Sequence, residues 1–62
     1  MAAFPKMLER NRKRDGLRVA RAAWLFGVTV WEYRELEAGE CWPTFDTYQR
    51  VGSYFGWPSA TR

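Results

Sequence analysis

The amino-acid sequence predicts an all-α fold, a compact bundle of four short helices, or five, in a single domain over residues 1–62. Gly16, Gly27, Gly39 and Gly56 each follow a segment with helical spacing, the position where a left-handed residue ends a helix. No segment shows the sustained alternation of apolar and polar residues that a half-buried strand requires. With 47% hydrophobic and 18% aromatic residues, the chain is too apolar for a disordered segment.

The spacing of apolar residues predicts the bounds of each helix. The predicted helices cover residues of about 4–15, 18–26, 30–38 and 44–55. The first places Phe4, Leu8 and Arg12 on one side. In the second, apolar residues from Val19 to Phe26 recur at the i, i+3, i+4 and i+7 positions of one helix face.

The third and fourth helices begin with threonines that can cap them. Thr29 and Glu32 form a capping-box pattern, in which the hydroxyl accepts from the Glu32 amide and the glutamate side chain returns to the Thr29 amide. Thr44 is the predicted cap of the fourth helix, whose apolar stripe begins at Phe45. Gly52 costs about 1 kcal/mol relative to alanine inside a helix, so we expect another helix to approach closely there.

The composition excludes several kinds of site. The chain has one cysteine, Cys41, and no histidine, so we expect neither an internal disulfide nor a metal site. It contains no phosphate-cradling loop and no dinucleotide fingerprint, so we expect no cofactor. The longest apolar stretch, residues 22–31, is far shorter than the roughly 20 residues of a membrane-spanning helix. We therefore expect a soluble, cytoplasmic protein with no membrane partner.

The formal net charge of +3 is unevenly distributed. Residues 1–28 hold seven basic and two acidic residues, whereas residues 29–62 hold three basic and five acidic residues. The net charges of the two halves are therefore +5 and −2. A basic first half is compatible with contacts to a polyphosphate backbone, and equally with an ordinary solvated helix surface.

An ion pair between Arg12 and Glu37 is predicted from the helix faces. Arg12 lies on the inward side of the first helix beside Leu8, and Glu37 on the inward side of the third beside Tyr33. A charge that faces a core must be paired, because an unpaired one costs several kcal/mol. The alternative is that both side chains extend into solvent.

The second and third helices are joined by a turn of about three residues, which is the geometry of a helix-turn-helix. With further motifs in register from about residue 4 to residue 57, the chain resembles the phage-repressor and Cro type of helix-turn-helix domain, the XRE-like or lambda-repressor-like family. The matching residues are Gly16-Leu17, Ala23, Phe26-Gly27-Val28-Thr29, Tyr33, Leu36, the E-x-G-x-x-x-P signature within "ELEAGECWP" at 35–43, and Phe55-Gly56-Trp57. The resemblance implies a transcriptional regulator that places its third helix in the major groove of double-stranded DNA, as a homodimer on a two-fold site. The family also has an arginine–glutamate pair at the positions of Arg12 and Glu37.

The resemblance also implies which residues face the bases. Positions that contact base edges in the family match Val30, Trp31, Glu32 and Glu35, with Arg34 close by. A helical wheel nevertheless turns Val30 inward. Groove-reading helices usually carry Arg, Lys, Asn or Gln at such positions, although a glutamate can accept from cytosine N4 and an apolar side chain can contact the thymine methyl.

The phosphate contacts implied by the resemblance are partly altered. Arg18 and Arg21, in the first turn of the second helix, and Arg14 just before it are the candidate phosphate-binding residues. Val19 stands where family members often carry a phosphate-binding glutamine. Glu40 stands after the third helix, where a carboxylate near the DNA backbone repels it.

Four tryptophans are many for a chain of 62 residues. Trp57 matches a core position of the family, whereas Trp24, Trp31 and Trp42 are predicted to be exposed. These three either cover the small core by lying over arginine side chains, or contact a second copy, or bind another protein. The family usually dimerises through a fifth helix. Only residues 58–62 follow the fourth helix and its closing triplet here, so either that helix is absent or the chain is a fragment.

Catalysis has little support in the sequence. Without a histidine, Cys41 lacks a base, and the preceding Glu40 would raise its pKa. Glu32 and Glu35 lie one turn apart on an outward face, where solvated carboxylates are expected. We therefore predict that the protein is not an enzyme. Two hypotheses about the function remain. One is a DNA-binding regulator, and the other is a protein-interaction module on the same scaffold that uses the exposed tryptophans and the acidic third helix.

Overall fold

The computed structural model describes residues 3–57, which form four α-helices. They are α1 (Ala3–Arg14), α2 (Val19–Phe26), α3 (Val30–Ala38) and α4 (Phe45–Phe55). No β-strand occurs in this part of the chain, as predicted. The possible fifth helix in residues 58–62 lies outside the described residues.

The predicted helix bounds agree with the structure to within one residue at each end. α3 has the predicted bounds, and α1 begins and ends one residue earlier than predicted. Arg18 was predicted to lie in the first turn of α2, but its extended backbone, with ψ of 156°, makes it the N-cap of that helix. Thr44, the predicted cap of the fourth helix, is its N-cap, with ψ of 163°, and α4 begins at Phe45, one residue later than predicted. Arg18 therefore lies at the entrance of α2 and not in its first turn.

The capping box predicted at the start of α3 is present. The Glu32 amide donates to Thr29 Oγ1 at 3.0 Å, and the Thr29 amide donates to Glu32 Oε1 at 2.9 Å. Each bond satisfies a backbone amide that the helix leaves without a partner. The cap therefore fixes where α3 begins.

All four helices contribute to one hydrophobic core. Its buried residues are Phe4, Leu8, Ala22, Ala23, Phe26, Tyr33, Leu36 and Val51. Phe26 is central, because its ring contacts Tyr33 of α3 and both Tyr54 and Phe55 of α4, with centroid distances of 6.4, 5.8 and 5.7 Å. The last residue of α2 thus joins α3 and α4.

Three predictions about packing were wrong. Phe45 is 66% exposed, because the face of α4 that packs inward contains Thr47 and Val51. Val30, the first residue of α3, is 38% exposed and not turned inward. A Cβ atom at Gly52 would lie 3.8 Å from the Trp57 side chain, so a tryptophan that follows the helix, and not another helix, approaches this glycine.

None of the helices between residues 3 and 57 combines the length and apolar character needed to cross a membrane.

Candidate nucleic-acid interface

The ion pair predicted between Arg12 and Glu37 is present and ties α3 to α1. Arg12 Nε donates to Glu37 Oε2 at 2.6 Å and Nη2 donates to Glu37 Oε1 at 3.2 Å, which is a bidentate arrangement. The two side chains are only 13% and 14% exposed. Arg12 Nη1 also donates to the Leu17 carbonyl at 3.0 Å, so the arginine holds the connection between α1 and α2 as well. The hydrogen bond to Glu37 raises the pKa of Arg12.

Tyr33 is a third member of this arrangement, and its contact with Glu37 was not predicted. Its hydroxyl donates to Glu37 Oε2 at 2.6 Å, one helical turn away. We call Arg12, Tyr33 and Glu37 the polar clasp. Burial and then the bond to Glu37 raise the pKa of Tyr33 well above its ordinary value. The i, i+4 spacing of Tyr33 and Glu37 was the signal that could have identified this contact.

Tyr33 makes stability decrease at alkaline pH. An unfolded tyrosine has a pKa of about 10, whereas native Tyr33 keeps its proton above that pH, so the native state then binds more protons than the unfolded state. The contribution of Tyr33 to stability is therefore complete below about pH 10 and falls as the pH rises further, by at most about 1.4 kcal/mol per pH unit. Urea unfolding between about pH 8 and pH 11 should show a shallower decline for Tyr33→Phe than for the wild type. Equal slopes would contradict this assignment.

The turn between α2 and α3 is short and defined by Gly27. This glycine has φ of 73°, a left-handed conformation that costs other residues about 1–2 kcal/mol. The amides of Gly27 and Val28 donate to the carbonyls of Trp24 and Ala23 at 3.3 and 3.0 Å, which closes the end of α2. Only residues 27–29 separate the two helices, so their crossing is tightly constrained.

The outward face of α3 carries the candidate base-facing residues. Trp31 is 74% exposed, Arg34 is exposed and Glu35 is half-buried. These three residues line one shallow cleft together with Ala38 and Glu40. Glu32 is exposed, but its carboxylate bonds the Thr29 amide, so it serves the helix start. Of the acidic residues on α3, Glu35 therefore remains to face a ligand.

The candidate phosphate-binding arginines lie in different settings. Arg18 is the N-cap of α2. Its side chain is exposed and makes no capping hydrogen bond. Arg21, in the first turn of α2, holds its guanidinium 5.0 Å from the ring centroid of Trp24. The Arg14 side chain pairs with Asp15 at 3.1 Å, so part of its charge is neutralised. Arg18 and Arg21 thus form the basic entrance of α2, and Arg14 is a weaker candidate.

The three candidate interface tryptophans are all largely exposed. Trp24, Trp31 and Trp42 expose 70%, 74% and 69% of their surface. Trp24 lies beside Arg21, which is the arrangement expected when an indole covers an arginine side chain. Trp42 lines two small clefts of about 110 and 120 Å³. Trp57, by contrast, is half-buried and packs on the core, as predicted.

The structure offers no support for an activated nucleophile at Cys41. Although the residue is exposed, desolvation raises the pKa of its thiol, and the charges of Glu35, Glu32 and Glu40 raise the pKa further. The predicted influence of Glu40 is confirmed, but Glu40 is the smallest of these contributions. Within residues 3–57, no three potential ligands among Cys, Asp and Glu are grouped to hold a metal ion.

Comparison of the chain with protein-family models, with curated proteins and with solved structures gives no match.

Proposed function

We propose that the protein is a DNA-binding helix-turn-helix regulator of transcription, of the phage-repressor or Cro type. In this proposal α3 enters the major groove, and the protein binds as a dimer to a two-fold site. The observation that supports the proposal is the short, constrained connection between α2 and α3. A three-residue turn joins the two helices, and the polar clasp anchors the inner side of α3 so that Trp31, Arg34 and Glu35 face outward.

The charges near the start of α2 support the same function. The first amides of a helix lack intrahelical acceptors and favour an anion, and Arg18 and Arg21 add two positive charges at that end. A phosphate placed there would interact with backbone amides and guanidinium groups together. Such contacts orient a protein on the duplex without specifying sequence.

Removal of these two arginines should weaken binding to any duplex. For the Arg18→Ala/Arg21→Ala variant, we expect the slope of log K against log salt concentration to decrease in magnitude by about 2, since about one counterion is released per phosphate contact. The affinity for a random-sequence duplex should fall by roughly tenfold to a hundredfold at low salt. Fluorescence anisotropy with a labelled duplex across a range of salt concentrations measures both quantities.

The matched control is Lys6→Ala/Arg10→Ala, which removes the same net charge from exposed positions of α1. It should change the salt dependence much less, because only a long-range electrostatic effect remains. Similar losses in the two double variants would show that net charge, and not the entrance of α2, determines affinity. Absence of salt-dependent binding to any duplex would refute the proposed function.

A second candidate function is protein–protein interaction on the same scaffold. The observation in its favour is the exposure of Trp24, Trp31 and Trp42, each at about 70%, since tryptophan is enriched at interfaces. The acidic residues of α3 would form part of that surface. If this function is correct, we expect no binding to duplex DNA at low salt. Analytical ultracentrifugation should instead show a dimer or complex that the Trp31→Ala substitution dissociates.

A further inference from the structure

The carboxylates on α3 and just after it determine which DNA this surface could accept. They are Glu32, Glu35, Glu37 and Glu40. Glu32 is bonded to the Thr29 amide and Glu37 to Arg12, so neither is available to a ligand. Within residues 3–57, no side-chain hydrogen bond or ion pair engages Glu35, which lies half-buried in the cleft beside Trp31.

A carboxylate in the major groove is favourable only where a base offers it a hydrogen-bond donor. The donors there are the amino groups of cytosine N4 and adenine N6. Adenine also presents the acceptor N7 beside its amino group, which repels the second carboxylate oxygen. Cytosine presents no acceptor in the major groove. Glu35 should therefore select cytosine over adenine.

The neighbours of Glu35 complete a short recognition surface. Arg34 follows Trp31 by three residues and Glu35 follows it by four, so both extend from the same side of α3 as the indole. A guanidinium group bonds guanine O6 and N7 in a bidentate manner, and an apolar ring contacts the thymine methyl. We infer that the cleft residues Trp31, Arg34 and Glu35 select a C·G base pair adjacent to a T·A pair, an inference that rests on the proposed function.

The test combines selection from a random duplex pool with direct binding measurements. The wild type should enrich a C·G pair next to a T·A pair, and replacing that C·G pair by T·A should weaken binding at least about fivefold. Glu35→Gln should move the preference from cytosine to adenine, because an amide both donates to N7 and accepts from N6. Deoxyuridine in place of thymidine should weaken binding of the wild type but not of Trp31→Ala.

Asp46→Asn is the charge-matched control for Glu35→Gln. It removes one negative charge from an exposed position of α4 outside the cleft, so it should change the affinity for all duplexes to a similar degree and leave the selected sequence unchanged. Salt-dependent binding without a C·G preference, or with the same preference in Glu35→Gln, would overturn the inference and leave the proposed function standing. Failure to bind any duplex would refute both.

Discussion

Arg12→Met is expected to destabilise the protein by about 3 kcal/mol, because it leaves the Glu37 carboxylate in a largely buried position without its cation. The Leu17 carbonyl also loses a donor. A domain of this size has a free energy of unfolding of only about 3–9 kcal/mol, so this substitution would remove roughly a third of it or more. Urea denaturation followed by circular dichroism measures the change, with an osmolyte present if the variant needs it.

Most of this loss of stability should come from the buried, unpaired charge of Glu37, and not from the lost attraction between Arg12 and Glu37. The triple variant Arg12→Met/Tyr33→Phe/Glu37→Leu removes all three polar partners together, and we expect it to regain most of the lost stability. The exposed pair Asp46–Arg50 is the control, since its alanine variants should cost less than about 1 kcal/mol. If Arg12→Met costs no more than these variants, the polar clasp does not hold α3 in place.

Phe26→Ala should cost about 3–5 kcal/mol, the range for truncation of a buried phenylalanine. Phe26 is 2% exposed and its ring contacts Tyr33, Tyr54 and Phe55, so the cavity would loosen both α3 and α4. The melting temperature should fall by more than about 12 °C, given roughly 4–8 °C per kcal/mol for a domain of this size.

Phe45→Ala is the matched control, because it is the same chemical change at a residue that is 66% exposed. Its cost should stay below about 1 kcal/mol. Scanning calorimetry of the two variants compares them directly. Equal shifts of the melting temperature would mean that α2 does not organise the core through its last residue.

The helices could be predicted closely because their signals are local. The capping box and the glycines of left-handed conformation depend on neighbouring residues, and both were recognised in the sequence. Inward and outward faces were predicted less well at helix ends. Phe45 and Val30 lie in the first turns of their helices, where exposure depends on how far the neighbouring helix extends. The spacing of apolar residues along one helix does not reveal how far the neighbouring helix extends.

The candidate site was only partly predictable for a related reason. Arg12 and Glu37 could be paired because an inward-facing charge needs a partner. The contribution of Tyr33 and the contact of Arg21 with Trp24 depend on side-chain conformations within each helix. The bond of Glu32 to the Thr29 amide, by contrast, was predicted from the capping box, and it leaves one free carboxylate fewer on the outward surface of α3.

The residues that hold α3 in the fold differ from those that it exposes on its outward face. The capping box fixes the first turn and the polar clasp fixes the inner side, whereas Trp31, Arg34 and Ala38 are exposed to solvent. Substitutions at these outward positions should therefore leave the bundle stable. If the proposed function holds, single replacements there would change target preference, and the same property makes α3 a natural position for a randomised library.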